Sequence, residues 1–369
     1  MQMVRRAKAA IQRGDSAVVV GAPGSSMEQY ANELSVPFRS IRLFFEYVDI
    51  HAAWKLCRIF EDEKADSCIV GITRHLSIAI IAKKMWRQSL DIVLFQQMIS
   101  GLRKIDFFHN WVYRNVTSAI VPTMLMAALL CSSTIFPEEK IDVIPYAVDV
   151  DEVDCSTYDS SSEKEHFGLP QDKLIVGHTA RFDRLKDQET LIRAFAKASI
   201  SNSFLVLAGD GDPNYRSEMQ RLTEELGIQT SVKFLPFTLR FGALLSCIDI
   251  YVMSSLCETF SLALIQAMVA GKPVVGTNSG GTPEAIIPER NGFLFEPRDT
   301  NVLSSLLQKL TTDGSLRDRL ALQARVDARV RYDSRKVDEL FFRSCVKGIK
   351  NDRGEMHLVS HRLHCHNQQ

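Results

Sequence analysis

The pattern that most constrains this chain lies between residues 174 and 277. Five short apolar segments recur there: LIVGHT (174–179), FLVLAG (204–209), VKFLP (232–236), IYVMS (250–254) and PVVGT (273–277). Helix-like runs fall between them, among them QETLIRAFAKAS, SEMQRLTEELG, LLSCI and SLALIQAMVAG. A strand that is apolar on both faces needs cover on both faces. The alternation therefore predicts a parallel sheet sandwiched by helices. Ligands of such sheets bind beyond the carboxyl ends of the strands, so the search for function starts in the loops that follow these segments.

The first part of the chain repeats the style. Strands are predicted at SAVVVGA (16–22), SCIVGI (67–72), DIVLFQQ (91–97), SAIVP (118–122) and KIDVIPY (140–146). Between the blocks lies DVDEVDCSTYDSSSEKEHFGLPQ (149–171), acidic, serine-rich and poor in apolar residues, which reads as a linker. The predicted organisation is an N-terminal Rossmann-like domain (1–148), a linker (149–172), a second Rossmann-like domain (173–345) and a tail (346–369). Two doubly wound α/β domains of similar size imply a cleft between them.

Composition excludes several alternatives. The chain has 46% hydrophobic and 24% charged residues with a formal net charge of zero. That is globular and offers no broad electrostatic field for nucleic acid. The eight cysteines are scattered with no CxxC pair, which reads as reduced, cytosolic thiols. No apolar run reaches the ~18 residues of a membrane span. The longest candidate, SIAIIAKKMW (77–86), contains two lysines and reads as a buried amphipathic helix.

Two loops carry chemistry. Gly280 and Gly281 precede Thr282-Pro283-Glu284, a good opening for a helix: Thr as N-cap, Pro at the first position and an acid near the positive end of the dipole. Such a turn is either a tight βα connection or an anion site of free N–H groups. In ARFDRLKDQET (180–190), Arg181 and Lys186 flank the loop after the first strand, either as solvated surface or as a second anion site. Glu258 stands before the helix beginning near Ser261, and Gln266 lies eight residues further on. That is about 12 Å if all of it were helical, enough to touch two ends of one extended ligand. Cations, N–H groups and hydroxyl acceptors together suit a sugar joined to a nucleoside by a diphosphate.

The second block resembles the donor domain of the family 4 retaining nucleotide-sugar glycosyltransferases, which have the GT-B fold. The resemblance runs from VGHTARFDRLKD through LAGDGD and VKFLPF to ETFSLALIQAMVAGKPVVGTNSGGTPEAI and NGFLFEP, over about residues 174–300. It implies that Arg181 and Lys186 bind the donor diphosphate and that Glu258 touches the transferred sugar. Gly280, Gly281 and Thr282 would give amides to sugar and phosphate. Gly209, Gly211, Phe234 and Leu235 would flank the nucleoside. The family's second acid, which holds the ribose hydroxyls, is Gln266 here. An amide offers one acceptor and one donor where a carboxylate accepts from both hydroxyls, so altered nucleoside binding is expected.

The first block resembles the family's acceptor domain, starting at its first helix and second strand (RRAKAAIQRGDSAVVVGAPGSS, 5–26). The family's first strand and its Gly-rich loop have no counterpart. The expectation is that either codons upstream of Met1 encode them or the domain is degenerate. GAPGSS lacks a Walker lysine and reads as a βα turn. His75, Gln97 and Arg103 follow strand ends and should line the acceptor side, with His75 either a base or structural. Basic clusters (Arg5, Arg6 and Lys8; Lys83, Lys84 and Arg87; Arg103 and Lys104) are either solvated surface or contacts to anionic lipid. The tail HLVSHRLHCHNQQ is His-rich and reads as frayed.

Together these imply sugar transfer from a nucleoside-diphosphate sugar to a saccharide or lipid-linked hydroxyl, with retention and without metal or other cofactor. The setting would be cell-envelope polysaccharide or lipopolysaccharide synthesis, in the cytoplasm or at the inner face of the membrane. The alternatives are a non-catalytic GT-B subunit that binds a sugar nucleotide and a sugar-nucleotide epimerase.

Overall fold

All ten predicted strands form, most of them shorter than the apolar runs that encode them. The structure is a computed structural model that describes residues 2–98 and 103–345. In the N-terminal domain the strands are β1 (Val19–Gly21), β2 (Phe38–Ser40), β3 (Ser67–Val70), β4 (Asp91–Phe95), β5 (Ser118–Val121) and β6 (Ile141–Val143). In the C-terminal domain they are β7 (Leu174–Thr179), β8 (Ser203–Ala208), β9 (Val232–Leu235), β10 (Ile250–Met253), β11 (Val274–Thr277) and β12 (Gly292–Phe295).

The C-terminal sheet is parallel in the order β12-β11-β10-β7-β8-β9. Its strands are buried on both faces, as their apolar runs require. Val176, Leu205, Leu207, Ile250 and Val252 face one core. Ile175, Val206, Tyr251 and Val274 alternate into the other. The edge strand β12 falls in the NGFLFEP motif. A Cβ on Gly292 would stand 2.7 Å from the Val274 side chain, so glycine lets this strand close on β11.

The N-terminal sheet is divided. Strands β3-β4-β5-β6 form one parallel ladder, and β1 and β2 pair only with each other among the described residues. The divide lies between the β1–β2 pair and the β3–β6 ladder. Helix Gln2–Gln12 runs beside it, with Val4 fully buried among Val19, Ala31 and Val36.

Packing redraws the expected domain limits in two places. The acidic segment 149–172 forms short turns and a helix at Ser160–His166, and its Val150, Val153 and Leu169 are buried in the C-terminal core. Helix Ser334–Cys345, expected in the second domain, returns to the first. Its Val337 and Phe341 are buried with Val93, Phe95 and Ile120, and the Phe341 and Phe95 rings lie 5.1 Å apart. Asp338 on this helix pairs with the buried Arg6. An amphipathic stripe announces that a helix face will be covered, not which domain covers it. The His-rich tail lies outside the described residues.

The carboxyl ends of the two sheets meet across the cleft. A Cβ on Gly281, after β11, would lie 2.9 Å from the Thr123 side chain, after β5.

Candidate active site

Loops after β7, β10 and β11 converge because those strands are neighbours in the sheet. The β7 loop makes a short 3-10 turn at Arg184–Lys186, capped by the Asp183 side chain. The Lys186 carbonyl accepts from Ser254 Oγ at 3.1 Å, and the Leu185 carbonyl from the Leu256 N–H at 2.8 Å. Thr277 Oγ1 donates to the Ser255 carbonyl at 2.6 Å, and Ser279 Oγ to the Leu256 carbonyl at 2.7 Å. The three loops are therefore laced together by side-chain hydroxyls on neighbouring backbone.

Glu258 sits at the centre of this frame. Its Oε1 accepts from Lys186 Nζ at 2.5 Å and from Ser255 Oγ at 3.0 Å. The two charged side chains are 21% and 16% exposed. Its backbone carbonyl accepts from the Gly281 N–H at 2.7 Å. Gly280 has φ +60°, and a Cβ there would stand 2.0 Å from the Glu258 carbonyl oxygen. The glycine pair is thus required by close packing on Glu258, apart from any ligand. Thr282 is buried and its Oγ1 has no partner among the described residues. A buried hydroxyl without a partner is an open polar position beside this turn.

Arg181 is the exposed cation of the set, with its guanidinium only 3.9 Å from Asp183. The Gly-Asp-Gly loop runs alongside. A Cβ on Gly209 would meet the Ala180 carbonyl at 2.1 Å, and one on Gly211 the Phe182 carbonyl at 2.4 Å. These glycines let the β8 loop press against the Arg181 loop. Phe234 stacks near Phe182 with ring centroids 5.8 Å apart. The Leu235 side chain packs in the core, and its carbonyl accepts from the Gly209 N–H at 3.1 Å. Gln266 is half-buried on helix Leu262–Val269, and its carboxamide makes no hydrogen bond among the described residues.

Two contributors were not expected. His178 on β7 is fully buried, with Nδ1 3.0 Å from the Val252 carbonyl and Nε2 without a partner among the described residues. Burial lowers its pKa to about 4, against the pull of the Val252 carbonyl and aided by nearby Lys186. It is neutral at pH 7. Glu284 was read as an acid of its own helix. No such helix forms: Thr282–Glu284 is a single 3-10 turn. Its carboxylate accepts instead from the Met124 and Leu125 N–H groups at 2.8 and 2.9 Å, the first amides of helix Met124–Ser133 in the other domain. The acid was visible in sequence; its partner, 160 residues away, was not.

On the acceptor side the named residues are less tightly gathered. His75 ends a 3-10 turn after β3, half-buried, and burial followed by Arg74 lowers its pKa against Glu46. The Gln97 carbonyl accepts from Tyr146 Oη at 3.3 Å, and a Cβ on Gly71 would lie 3.3 Å from the Gln97 amide. Arg103 is exposed, and Lys104 beside it donates to Thr73 Oγ1 at 3.1 Å. That bond joins the 73–75 turn to the 103–104 segment, but no contact unites His75, Gln97 and Arg103. Among the described residues no three His, Cys, Asp or Glu side chains gather to hold a metal ion.

Residues 159–327 match the glycosyl transferases group 1 family. The match spans all six strands of the C-terminal sheet. The chain is 27% identical over 312 residues, covering 84% of it and 81% of the relative, to N-acetyl-alpha-D-glucosaminyl L-malate synthase of Bacillus anthracis. It is 21% identical to the lipopolysaccharide core biosynthesis glycosyltransferase LpsD of Rhizobium meliloti, covering 72% of this chain and 88% of that one. Among solved structures it resembles Anabaena HepE in complex with UDP and glucose, with TM-score 0.80, 21% identity and coverage of 93% and 95%. The chain thus has the GT-B fold, two Rossmann-like domains about a cleft, and Lys186, Glu258 and the glycine pair stand at the carboxyl ends of its C-terminal strands.

Proposed function

We propose that this group 1 glycosyltransferase moves a sugar from a nucleoside-diphosphate sugar to a hydroxyl of a saccharide or lipid-linked acceptor, with retention of configuration. The observation that carries the reading is the half-buried Lys186–Glu258 pair packed on the Gly280 turn. A diphosphate entering beside Lys186 finds a cation already fixed in place, with Arg181 free to swing in from solvent. Both neutralise charge as the diphosphate departs, an electrostatic role that needs no metal. Glu258 faces the sugar from the same spot, and the free Gln266 carboxamide is left for the ribose. HepE, a relative in fold, was solved with UDP-glucose, and LpsD acts in lipopolysaccharide core synthesis. These support a UDP-sugar donor and a cell-envelope acceptor.

The test is a panel of UDP-, GDP- and ADP-sugars with lipid and saccharide acceptors, read by proton NMR of the anomeric signal. Transfer with the donor's own anomeric configuration supports the reading; transfer with inversion refutes retention. A non-catalytic sugar-nucleotide-binding subunit is favoured by the divided N-terminal sheet and by Gln266. Nucleotide binding with no transfer or hydrolysis from any donor supports that second reading.

A further inference from the structure

One rim of the N-terminal domain exposes apolar side chains that the donor site does not use. Leu43, Phe44, Phe45, Tyr47, Val48 and Ile50 all point to solvent, Phe44 at 64% and Phe45 at 69% exposure. The loop is not loose. Buried Asp49 accepts from the Phe44 and Phe45 N–H groups with Oδ2, at 2.7 and 3.3 Å, and from the Ala52 N–H with Oδ1 at 2.8 Å. A buried carboxylate thus holds two phenylalanines out in water.

The loop is continuous with the acceptor edge. Ser77 Oγ donates to the Tyr47 carbonyl, Arg74 pairs with Glu46 at 2.8 Å, and the Tyr47 and Phe108 rings lie 6.5 Å apart. Next to Phe108, Phe107 is 91% exposed.

The acids of this rim are engaged: Glu46 is paired with Arg74, Asp49 accepts from three amides, and Asp106 is hydrogen-bonded to His109. Arg42 and Arg103 are exposed and make no ion pair among the described residues. The outward groups of Leu43, Phe44, Phe45, Val48 and Ile50 carry no hydrogen-bonding group, and the exposed Tyr47 and Trp54 beside them are the amphipathic rings that favour a headgroup interface. Exposed apolar and aromatic side chains preceded directly by the unpaired Arg42 match the interface of an anionic bilayer.

We propose that this rim, centred on Phe44 and Phe45, is a bilayer-contact surface that seats the protein on anionic phospholipid with its acceptor edge at the headgroups. The proposal deepens the reading of a lipid-linked acceptor and rests on it for its purpose. Its test involves no sugar transfer, so the two can fail separately.

The experiment is co-sedimentation of the full chain with vesicles of phosphatidylcholine, with and without phosphatidylglycerol. The parent should bind the phosphatidylglycerol vesicles. Phe44→Ser with Phe45→Ser should cut the partition coefficient about tenfold or more, since two buried rings are lost. Arg42→Ala should cut it about fivefold, and only when anionic lipid is present. Thermal melting checks that the variants fold, and Phe44→Trp gives a second readout, a blue-shifted emission on adding vesicles. A parent that ignores both vesicle types overturns the proposal. So does a double serine variant that still binds them, or one that loses only self-association or soluble-saccharide binding.

Discussion

Lys186 Nζ lies 2.5 Å from Glu258 Oε1, joining the loop after β7 to the loop after β10. The pair leaves Lys186 held by a carboxylate that a diphosphate must rival for the same cation. Glu258→Gln should therefore separate two effects. Turnover should fall sharply, because a charged contact to the sugar is lost. Binding of bare UDP should strengthen about fivefold, since a charge-assisted bond to a rival acceptor, worth about 1 kcal/mol over a neutral one, is removed. Calorimetry and turnover decide it. UDP binding that weakens alongside turnover would show that Lys186 does not face the phosphates.

Gly280 is held at φ +60° against the Glu258 backbone, with no room for a methyl group. Gly280→Ala should cost more than about 2 kcal/mol of stability or displace Glu258 and abolish turnover. Gly227 is the control: its φ is +68° but nothing lies within 4 Å of a Cβ. Gly227→Ala should cost only about 1–2 kcal/mol. Urea unfolding of both variants, with turnover, checks this; equal behaviour of the two would contradict the packing argument.

Glu284 ties the domains by capping a helix of the opposite one. Glu284→Ala should leave two amides unbonded and cost about 1–2 kcal/mol of domain contact. Small-angle X-ray scattering should register a larger radius of gyration, with lower turnover, and Glu284→Gln should fall between. Unchanged compactness and unchanged turnover would mean that the contact does not hold the cleft.

Gln266 has no competing partner among the described residues, so Gln266→Glu should act on the ribose alone. UDP should bind about fivefold more tightly, a gain of about 1 kcal/mol. At least fivefold weaker binding in calorimetry would show that this helix position faces away from the ribose.

How far the fold was legible follows from what periodicity encodes. Strands such as β7, β8 and β10 were plain because their runs are apolar on both faces. β2 and β12 were not: two of the three residues of β2 (Phe38–Ser40) are polar and exposed, and β12 (Gly292–Phe295) opens on a glycine. Arg181, Lys186, Glu258 and the glycine pair were named from motifs, but the reason for the glycines was not, since it is the carbonyl of Glu258 that excludes a Cβ. Helix Ser334–Cys345 and Glu284 act across the cleft, and no local pattern records a partner in another domain.

The central claim is that Lys186 serves the departing diphosphate. It is tested most directly by the rate of nucleoside diphosphate release from the preferred donor by Lys186→Ala against the parent, with melting temperature as the check on folding. Loss of one fixed electrostatic donor predicts a fall of about 2–4 kcal/mol in transition-state stabilisation, roughly 30- to 1000-fold. Release by a folded Lys186→Ala protein at the parental rate would contradict the account.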